Sequence, residues 1–237
     1  MFSKTHLAFD PMPVDRLNLT TRDISKLHPA LTVLNHPLAT HILTHLRDET
    51  TKPTTFRTLS DQISTMLAIE ATKDLDMEDK AVRTPLEIFR GEILTRVPLI
   101  VVPILRAGTA MIGPFQNLFP DVRIGYIGLE RDHKTAVAHN YYQKMPRIEG
   151  RRVWVVDPML ATGGSAVHAV DLMKKMDAKG VIFVCVVAAP EGLAEMAQHH
   201  PNVPIFAGVI DRDLNDRKYI RPGLGDYGDR YNGTDEY

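Results

Sequence analysis

Val153-Trp154-Val155-Val156-Asp157-Pro158-Met159-Leu160-Ala161-Thr162-Gly163-Gly164-Ser165 reads as a short buried strand, an acid at its C-terminal end, and a loop of small residues opening a helix. Residues 161–165 bring backbone N–H groups close to an anion, because Gly163 and Gly164 have no side chain to hold it off. The helix that follows adds its positive dipole end. Asp157 then stands beside whatever carries that anion. A nucleoside-triphosphate loop fails here on one residue. That motif needs a Lys before its Ser or Thr to reach the outer phosphates, and Gly164 occupies the place. Gly-Gly between strand and helix also makes plain tight turns. Asp157 and Thr162, in register after four apolar residues, favour the anion cradle, and a carboxylate beside it suits a ribose 5-phosphate.

Working outward, apolar strands alternate with amphipathic helices. Strands are expected at 99–104, 122–129, 152–156, 181–188 and 204–209, and helices at 108–118, 164–176 and 190–199. This rhythm predicts an α/β fold, a largely parallel sheet with helices on both faces. Ligands in such sheets bind at the C-terminal strand ends, where Arg106, Asp157 and Asp211 fall. Ahead of that core, helical spacing marks 37–49 and 54–75. Residues 73–80 read as an exposed turn and 82–94 as a short antiparallel arm. Residues 1–30, interrupted by Pro11, Pro13 and Pro29, read as an extension to a single domain spanning 31–237. The long polar connection 131–146 suits a flap or hairpin over the site. Near the C-terminus, 219–230 sets four glycines around two acids, a density that suits a backbone folded against a small ligand.

The chain has 237 residues, enough for one large α/β domain, and 28 basic against 29 acidic side chains. The balance advertises no polyanion-binding surface. One cysteine excludes an internal disulfide framework, and Cys185, within an apolar run, reads as a small core residue. No apolar stretch reaches the length of a membrane span and the N-terminus lacks a signal-peptide core, so a cytoplasmic protein with no membrane or nucleic-acid partner is expected. His41 and His45 stand at metal-binding spacing, but without a third ligand they read as a solvated helix face. His199-His200 reads as a helix C-terminus, where positive charge is favourable. Trp154 reads as core.

Four segments together resemble the uracil phosphoribosyltransferases: Pro103-Ile104-Leu105-Arg106-Ala107-Gly108, Gly128-Leu129-Glu130-Arg131, the Asp157–Ser165 stretch, and Tyr219-Ile220-Arg221-Pro222-Gly223-Leu224-Gly225-Asp226. The resemblance runs from about residue 31 to 234. Its most specific element is Asp157-Pro158, because most phosphoribosyltransferases carry two adjacent acids there. It implies a phosphoribosyltransferase-type core with N-terminal helices, a β-arm and a C-terminal base-binding segment. The implied reaction makes UMP and diphosphate from uracil and phosphoribosyl pyrophosphate, with Mg²⁺ held mainly by the donor's diphosphate. By resemblance, Asp157, Pro158, Met159, Leu160, Ala161, Thr162, Gly163, Gly164 and Ser165 hold the ribose 5-phosphate, and Arg106 and Arg131 contact the diphosphate side. Ile220, Gly225, Asp226 and Tyr227 surround uracil, with Asp226 also near the donor. Asp157, Arg106 and Asp226 are the expected catalytic residues. The arm at 82–94 and the extension suggest a homodimer or homotetramer, and the resemblance adds a GTP effector.

The physical chemistry agrees with those roles. Breaking the C1–diphosphate bond builds positive charge on the ribose and negative charge on the leaving group, which arginines and Mg²⁺ stabilise. Uracil presents acceptor, donor, acceptor along one edge, which backbone groups of Ile220 and Gly225 to Tyr227 can match. Cytosine inverts two of the three and leaves buried groups unpaired. No general base for uracil N1 is evident. Three departures stand out: Glu130 where bacterial members often have Tyr, Tyr227 where many have Ala, and the extension 1–30. Two rivals stay open: a drifted base preference centred on Tyr227, and a regulator of the same fold that senses nucleotides or binds RNA. The regulator calls for a basic patch, and Lys and Arg are not so concentrated here.

Overall fold

Apolar side chains at nearly every position of the central strands dictate a sheet covered on both faces. The computed structural model describes residues 26–95, 97–131 and 138–234. In chain order the elements are β1 (Leu31–Val33), α1 (Pro37–Arg47), α2 (Pro53–Glu70), β2 (Met77–Arg83), β3 (Ile88–Leu94) and β4 (Ile100–Leu105). A 3₁₀ turn (Ala107–Met111) leads into α3 (Ile112–Leu118), β5 (Arg123–Ile124), β6 (Tyr126–Arg131), β7 (Ala138–Lys144), β8 (Arg152–Val156) and β9 (Met159–Leu160). Then come α4 (Gly164–Lys175), β10 (Gly180–Ala188), α5 (Pro190–His199), β11 (Ile205–Ile210), β12 (Asp213–Leu214), β13 (Ile220–Arg221) and α6 (Tyr227–Asn232).

The main sheet runs β1-β11-β10-β8-β4-β6-β7, with β5 added to β4 and β9 to β10. Every pairing in it is parallel except β6 with β7. Period-two alternation sorts the strands between two cores. Trp154 and Val156 pack with Phe56, Ile63 and Leu67 of α2 and Phe115 of α3. Val153 and Val155 pack on the opposite face with Ala169, Val170 and Met173 of α4 and Leu193 and Met196 of α5. Trp154 is buried as expected, and its indole N–H donates to the carbonyl of Ala71 at 2.9 Å, satisfying an orphan at the end of α2. Cys185 is buried in β10, and burial pushes its thiol pKa far up, so it is a core residue.

Several boundaries differ from the sequence expectation. Helix 37–49 stops at Arg47, because Asp48 turns extended and its carboxylate takes the N–H and hydroxyl of Thr50. Helix 54–75 ends at Glu70, where the Thr72 hydroxyl bonds back to the carbonyl of Ala68. Residues 77–80, read as part of an exposed turn, form the first half of β2, so the antiparallel β2–β3 hairpin starts earlier than 82. Its strands carry mixed charges with no buried face, leaving no alternation to read. The strand expected over 122–129 is interrupted at Gly125, where a Cβ would meet the Met145 sulfur at 2.4 Å. The edge strand β1 lies just beyond the stretch read as irregular; of that stretch, residues 1–25 lie outside the described residues. The connection 131–146 folds back as β7 against β6, with residues 132–137 outside the described ones. His200 is also unlike its expectation. It is 5% exposed, and burial followed by the nearby Lys174 lowers its pKa, so it brings no positive charge to the end of α5.

Candidate active site

Strands β4 and β8 lie side by side, from Ile100 opposite Val153 to Pro103 opposite Val156. After β4 the chain builds β6 on one flank, and after β8 it builds β10 on the other. A crevice at the C-terminal ends of two such strands is where open α/β sheets bind ligands. Arg106 follows β4 and is exposed; the Leu105–Arg106 peptide is cis. Asp157 follows β8 and is half-buried, with one carboxylate oxygen 3.5 Å from the Met159 N–H. The 3₁₀ turn passes so near β8 that a Cβ on Gly108 would lie 2.5 Å from the Val156 carbonyl.

The loop after Asp157 is tied down on its outer side. The Pro158 carbonyl accepts from the N–H groups of Val186 and Val187, both at 3.0 Å, and Leu160 accepts from Ala189 at 2.9 Å. Gly163 then takes φ +86°, a conformation that favours glycine. A Cβ there would also strike the Glu195 side chain at 2.7 Å, and one on Gly192 would strike the Ala161 carbonyl at 2.6 Å. Helix α5 thus packs on the loop through two glycine contacts. Helix α4 begins with no side-chain cap and no acid in its first turn. The first intrahelical bond runs from Val167 N–H to Gly163. The N–H groups of Gly164, Ser165 and Ala166 therefore lack intrahelical acceptors, beside the positive end of the helix dipole. By contrast, α1 and α6 are capped by the side chains of His36 and Asp226.

The facing wall comes from the C-terminal segment. Asn215 holds the β12–β13 turn by accepting from the N–H groups of Arg217 and Tyr219 at 3.0 and 2.9 Å. This turn sets Lys218 at φ +66°, unusual for a residue with a Cβ. Beyond β13, Gly223 and Gly225 both take positive φ. Asp226 is exposed and caps α6 by accepting from the Asp229 N–H at 3.0 Å.

Loop, uncapped helix and glycine-rich wall enclose a cavity of about 250 Å³. A sequence model described as uracil phosphoribosyltransferase matches residues 33–234. This chain belongs to the uracil phosphoribosyltransferase family. The uracil phosphoribosyltransferases of Bacillus pumilus (strain SAFR-032) and Variovorax paradoxus (strain S110) are each 47% identical to it over 203 residues, covering 85% of this chain and 97% of theirs. The solved structure of the AQ2163 protein from Aquifex aeolicus is 37% identical with a TM-score of 0.82, covering 87% of this chain and 100% of that one.

Of the residues that the uracil phosphoribosyltransferase pattern marked, the cavity gathers two groups. Asp157, Met159, Leu160, Ala161, Gly163 and Ser165 line one side, and Ile220, Gly225, Asp226 and Tyr227 the other. Arg106, Pro158, Thr162 and Gly164 are not among its lining residues. Arg131 ends β6, and its side chain lies outside the described residues. Tyr227 stands at the cavity, but it is 1% exposed and its ring packs edge-on to Phe56 at 5.1 Å. Asp211 does follow β11, yet its carboxylate is taken up by Arg47 and by the Gly223 N–H. Sequence reading missed Ala166 and Lys218 in the lining, and it gave Ala107, Tyr219 and Gly228 no role beyond the segments that contain them. The Asn-Asp turn chemistry at Asn215-Asp216 was the available signal for Lys218 and Tyr219. His41 and His45 are exposed with ring centroids 4.6 Å apart, and among the described residues no cluster of three or more His, Cys, Asp or Glu could hold a metal ion.

Proposed function

We propose that this protein transfers the phosphoribosyl group of phosphoribosyl pyrophosphate to N1 of uracil. The C1–diphosphate bond breaks, the C1–N1 bond forms, uracil N1 loses its proton, and UMP and diphosphate leave. The observation that carries this reading is the uncapped α4 N-terminus opening, beside Asp157, into the same cavity as the 220–228 backbone.

The first-turn N–H groups of α4 and residues 161–165 receive the 5-phosphate. Asp157 hydrogen-bonds the ribose hydroxyls and offsets positive charge developing at C1. Arg106, exposed at the end of β4, faces the departing diphosphate, a role the resemblance gives to Arg131 as well. Backbone groups at Ile220 and from Gly225 to Tyr227 read the uracil edge, and Asp226 stands between base and donor. Mg²⁺, when bound, neutralises diphosphate charge. Asp157 and Asp226, the carboxylates among the described residues lining the cavity, are those able to face it, and the donor's own phosphate oxygens supply its other ligands.

Residues 31–237 form the catalytic unit and 1–30 an extension to it, consistent with a family match that begins at residue 33. Self-association as a homodimer or homotetramer is supported by the β2–β3 hairpin, where Leu86, Ile88 and Phe89 are 96, 71 and 55% exposed. Activation by GTP rests on the resemblance alone. A cytoplasmic location is in keeping with a set of described residues in which no helix is long and apolar enough to cross a membrane.

Diphosphate release from phosphoribosyl pyrophosphate and Mg²⁺ tests the reading, with uracil, cytosine, orotate and xanthine in parallel, each with and without GTP. Uracil alone is expected to be used, and Asp157→Asn to lower kcat about 100-fold with the fold intact. Turnover of another base instead, or no turnover of any, overturns it.

A further inference from the structure

Ile220, Leu224 and Tyr227 anchor the glycine-rich wall in the core, but Gly223 between them has no side chain to hold it, and the reading of uracil by backbone atoms requires that wall to be held still. Its hold comes from the end of α1. Arg47 forks onto Asp211, donating to the two carboxylate oxygens at 2.8 and 2.6 Å. The same guanidinium donates to the Gly223 carbonyl at 2.7 Å. Asp211 in turn accepts from the Gly223 N–H at 2.9 Å. The ion pair therefore grips both polar groups of one residue. Asp211 has a side chain only 3% exposed, and its own N–H is fixed to the Ala188 carbonyl at the end of β10 by a 2.8 Å bond.

Gly223 is the right residue to grip. It takes φ +63°, and its turn is so tight that a Cβ would lie 2.1 Å from the Ile220 carbonyl. Ile220 and Gly225, three residues before it and two after, both line the cavity. Neither Arg47 nor Asp211 does. Arg230 adds a second hold on the same segment, donating to the Leu224 carbonyl at 2.7 Å and to the carbonyl of Leu46. A lysine at 47 could not serve in place of the arginine, because only the planar fork presents several donors in fixed directions.

We infer that Arg47 and Asp211 are positioning residues for the base-binding half of the pocket, acting through Gly223 to set Ile220 and Gly225. This rests on the proposed reaction with uracil. It separates the two substrates: the anion loop is tied to β10 by its own hydrogen bonds and to α5 by its glycine contacts, so the 5-phosphate site is left in place when the grip is lost.

The test is steady-state kinetics of the full chain with each substrate varied in turn, alongside thermal melts. The variants are Arg47→Lys, Asp211→Asn, Arg47→Met and the Arg47→Met/Asp211→Asn pair. Arg47→Lys and Asp211→Asn keep side-chain volume and carry the test where Arg47→Met leaves a buried carboxylate unpaired and fails to fold. The expected result is a KM for uracil raised tenfold or more, with the KM for phosphoribosyl pyrophosphate within twofold of wild type. The double variant is expected to match the worse single variant rather than multiply the two effects. Equal changes in both KM values, or an unmoved uracil KM in folded Arg47→Lys, overturn the inference while leaving the proposed reaction standing. A wild-type chain that leaves uracil untouched overturns the reaction, and the inference with it.

Discussion

Tyr227 shows how one residue can serve two sites. Its ring lies edge-on to Phe56 at 5.1 Å and nearly parallel to Tyr231 at 6.4 Å, while the residue is among those lining the cavity. Burial raises the hydroxyl pKa well above the usual tyrosine range, so the group stays neutral. Arg230 covers the other partner, its guanidinium 4.6 Å from the Phe56 ring centroid. Tyr227→Ala is therefore a core truncation, with an expected cost of about 3–5 kcal/mol. In a chain this long that lowers the melting temperature by about 10 °C. Base choice should not change, which parallel assays of uracil and cytosine would check. A switch of preferred base in the variant would place the ring against the substrate instead. The sequence associates Tyr227 with the base only through the family resemblance. It cannot tell which way a side chain leaves a six-residue helix.

The loop between β8 and α4 makes a sharper claim about adjacent residues. Gly163 is fixed by its φ of +86° and by the Glu195 side chain 2.7 Å from where a Cβ would stand. Gly164 has nothing within 4 Å of the same position. Gly163→Ala should cost about 1–3 kcal/mol in backbone strain and raise the donor KM by displacing the loop. Gly164→Ala should melt as wild type, any loss appearing only in donor binding. Melting curves and donor titrations of the two variants separate these outcomes, and equal destabilisation would mean that the two glycines share one role. Both glycines looked alike in the sequence. The strand–acid–loop–helix order was legible there because local apolar runs and glycines encode it. So were the α/β class and the alternation of strands with helices. The grip of α5 through Gly192, and that of Arg47 and Asp211 on Gly223, were not. Those contacts join segments up to 176 residues apart, and no local pattern marks them. The short strands β1, β9, β12 and β13 escaped for a related reason, since two or three residues show no period.

At the scale of the molecule, the open edge of the sheet is latched by two buried histidines. Strand β1 pairs with β11, Leu31 opposite Ile205, and His28 just before it is fully buried. The Ala30 N–H donates to His28 Nδ1 at 3.2 Å, so the ring's proton sits on Nε2 and points at the His200 carbonyl, 3.3 Å away. Lys174 lies 2.9 Å from His200 Nδ1, which leaves Nε2 as the donor toward the Val167 carbonyl and Asp171. Both rings are thus neutral in the fold, and burial lowers both pKa values, assisted at His200 by the positive charge of Lys174. The unfolded chain takes up protons at the ordinary value of 6.5. Below that pH it binds more protons than the folded chain, so stability rises with pH. The histidine contribution is complete above 6.5 and is lost as pH falls from there toward the lowered values. The carboxylates of Asp48 and Asp213, held below 3.8, titrate too low to contribute to this window. The melting temperature should therefore drop between pH 7 and pH 5, and drop less in His200→Gln. Protection factors for amide exchange at Leu31–Val33, corrected for the slower intrinsic exchange at low pH, should fall over the same range, because a proton on His28 Nδ1 removes the acceptor for Ala30. A flat melting profile, or the same acid slope in His200→Gln, would remove the histidines from the latch.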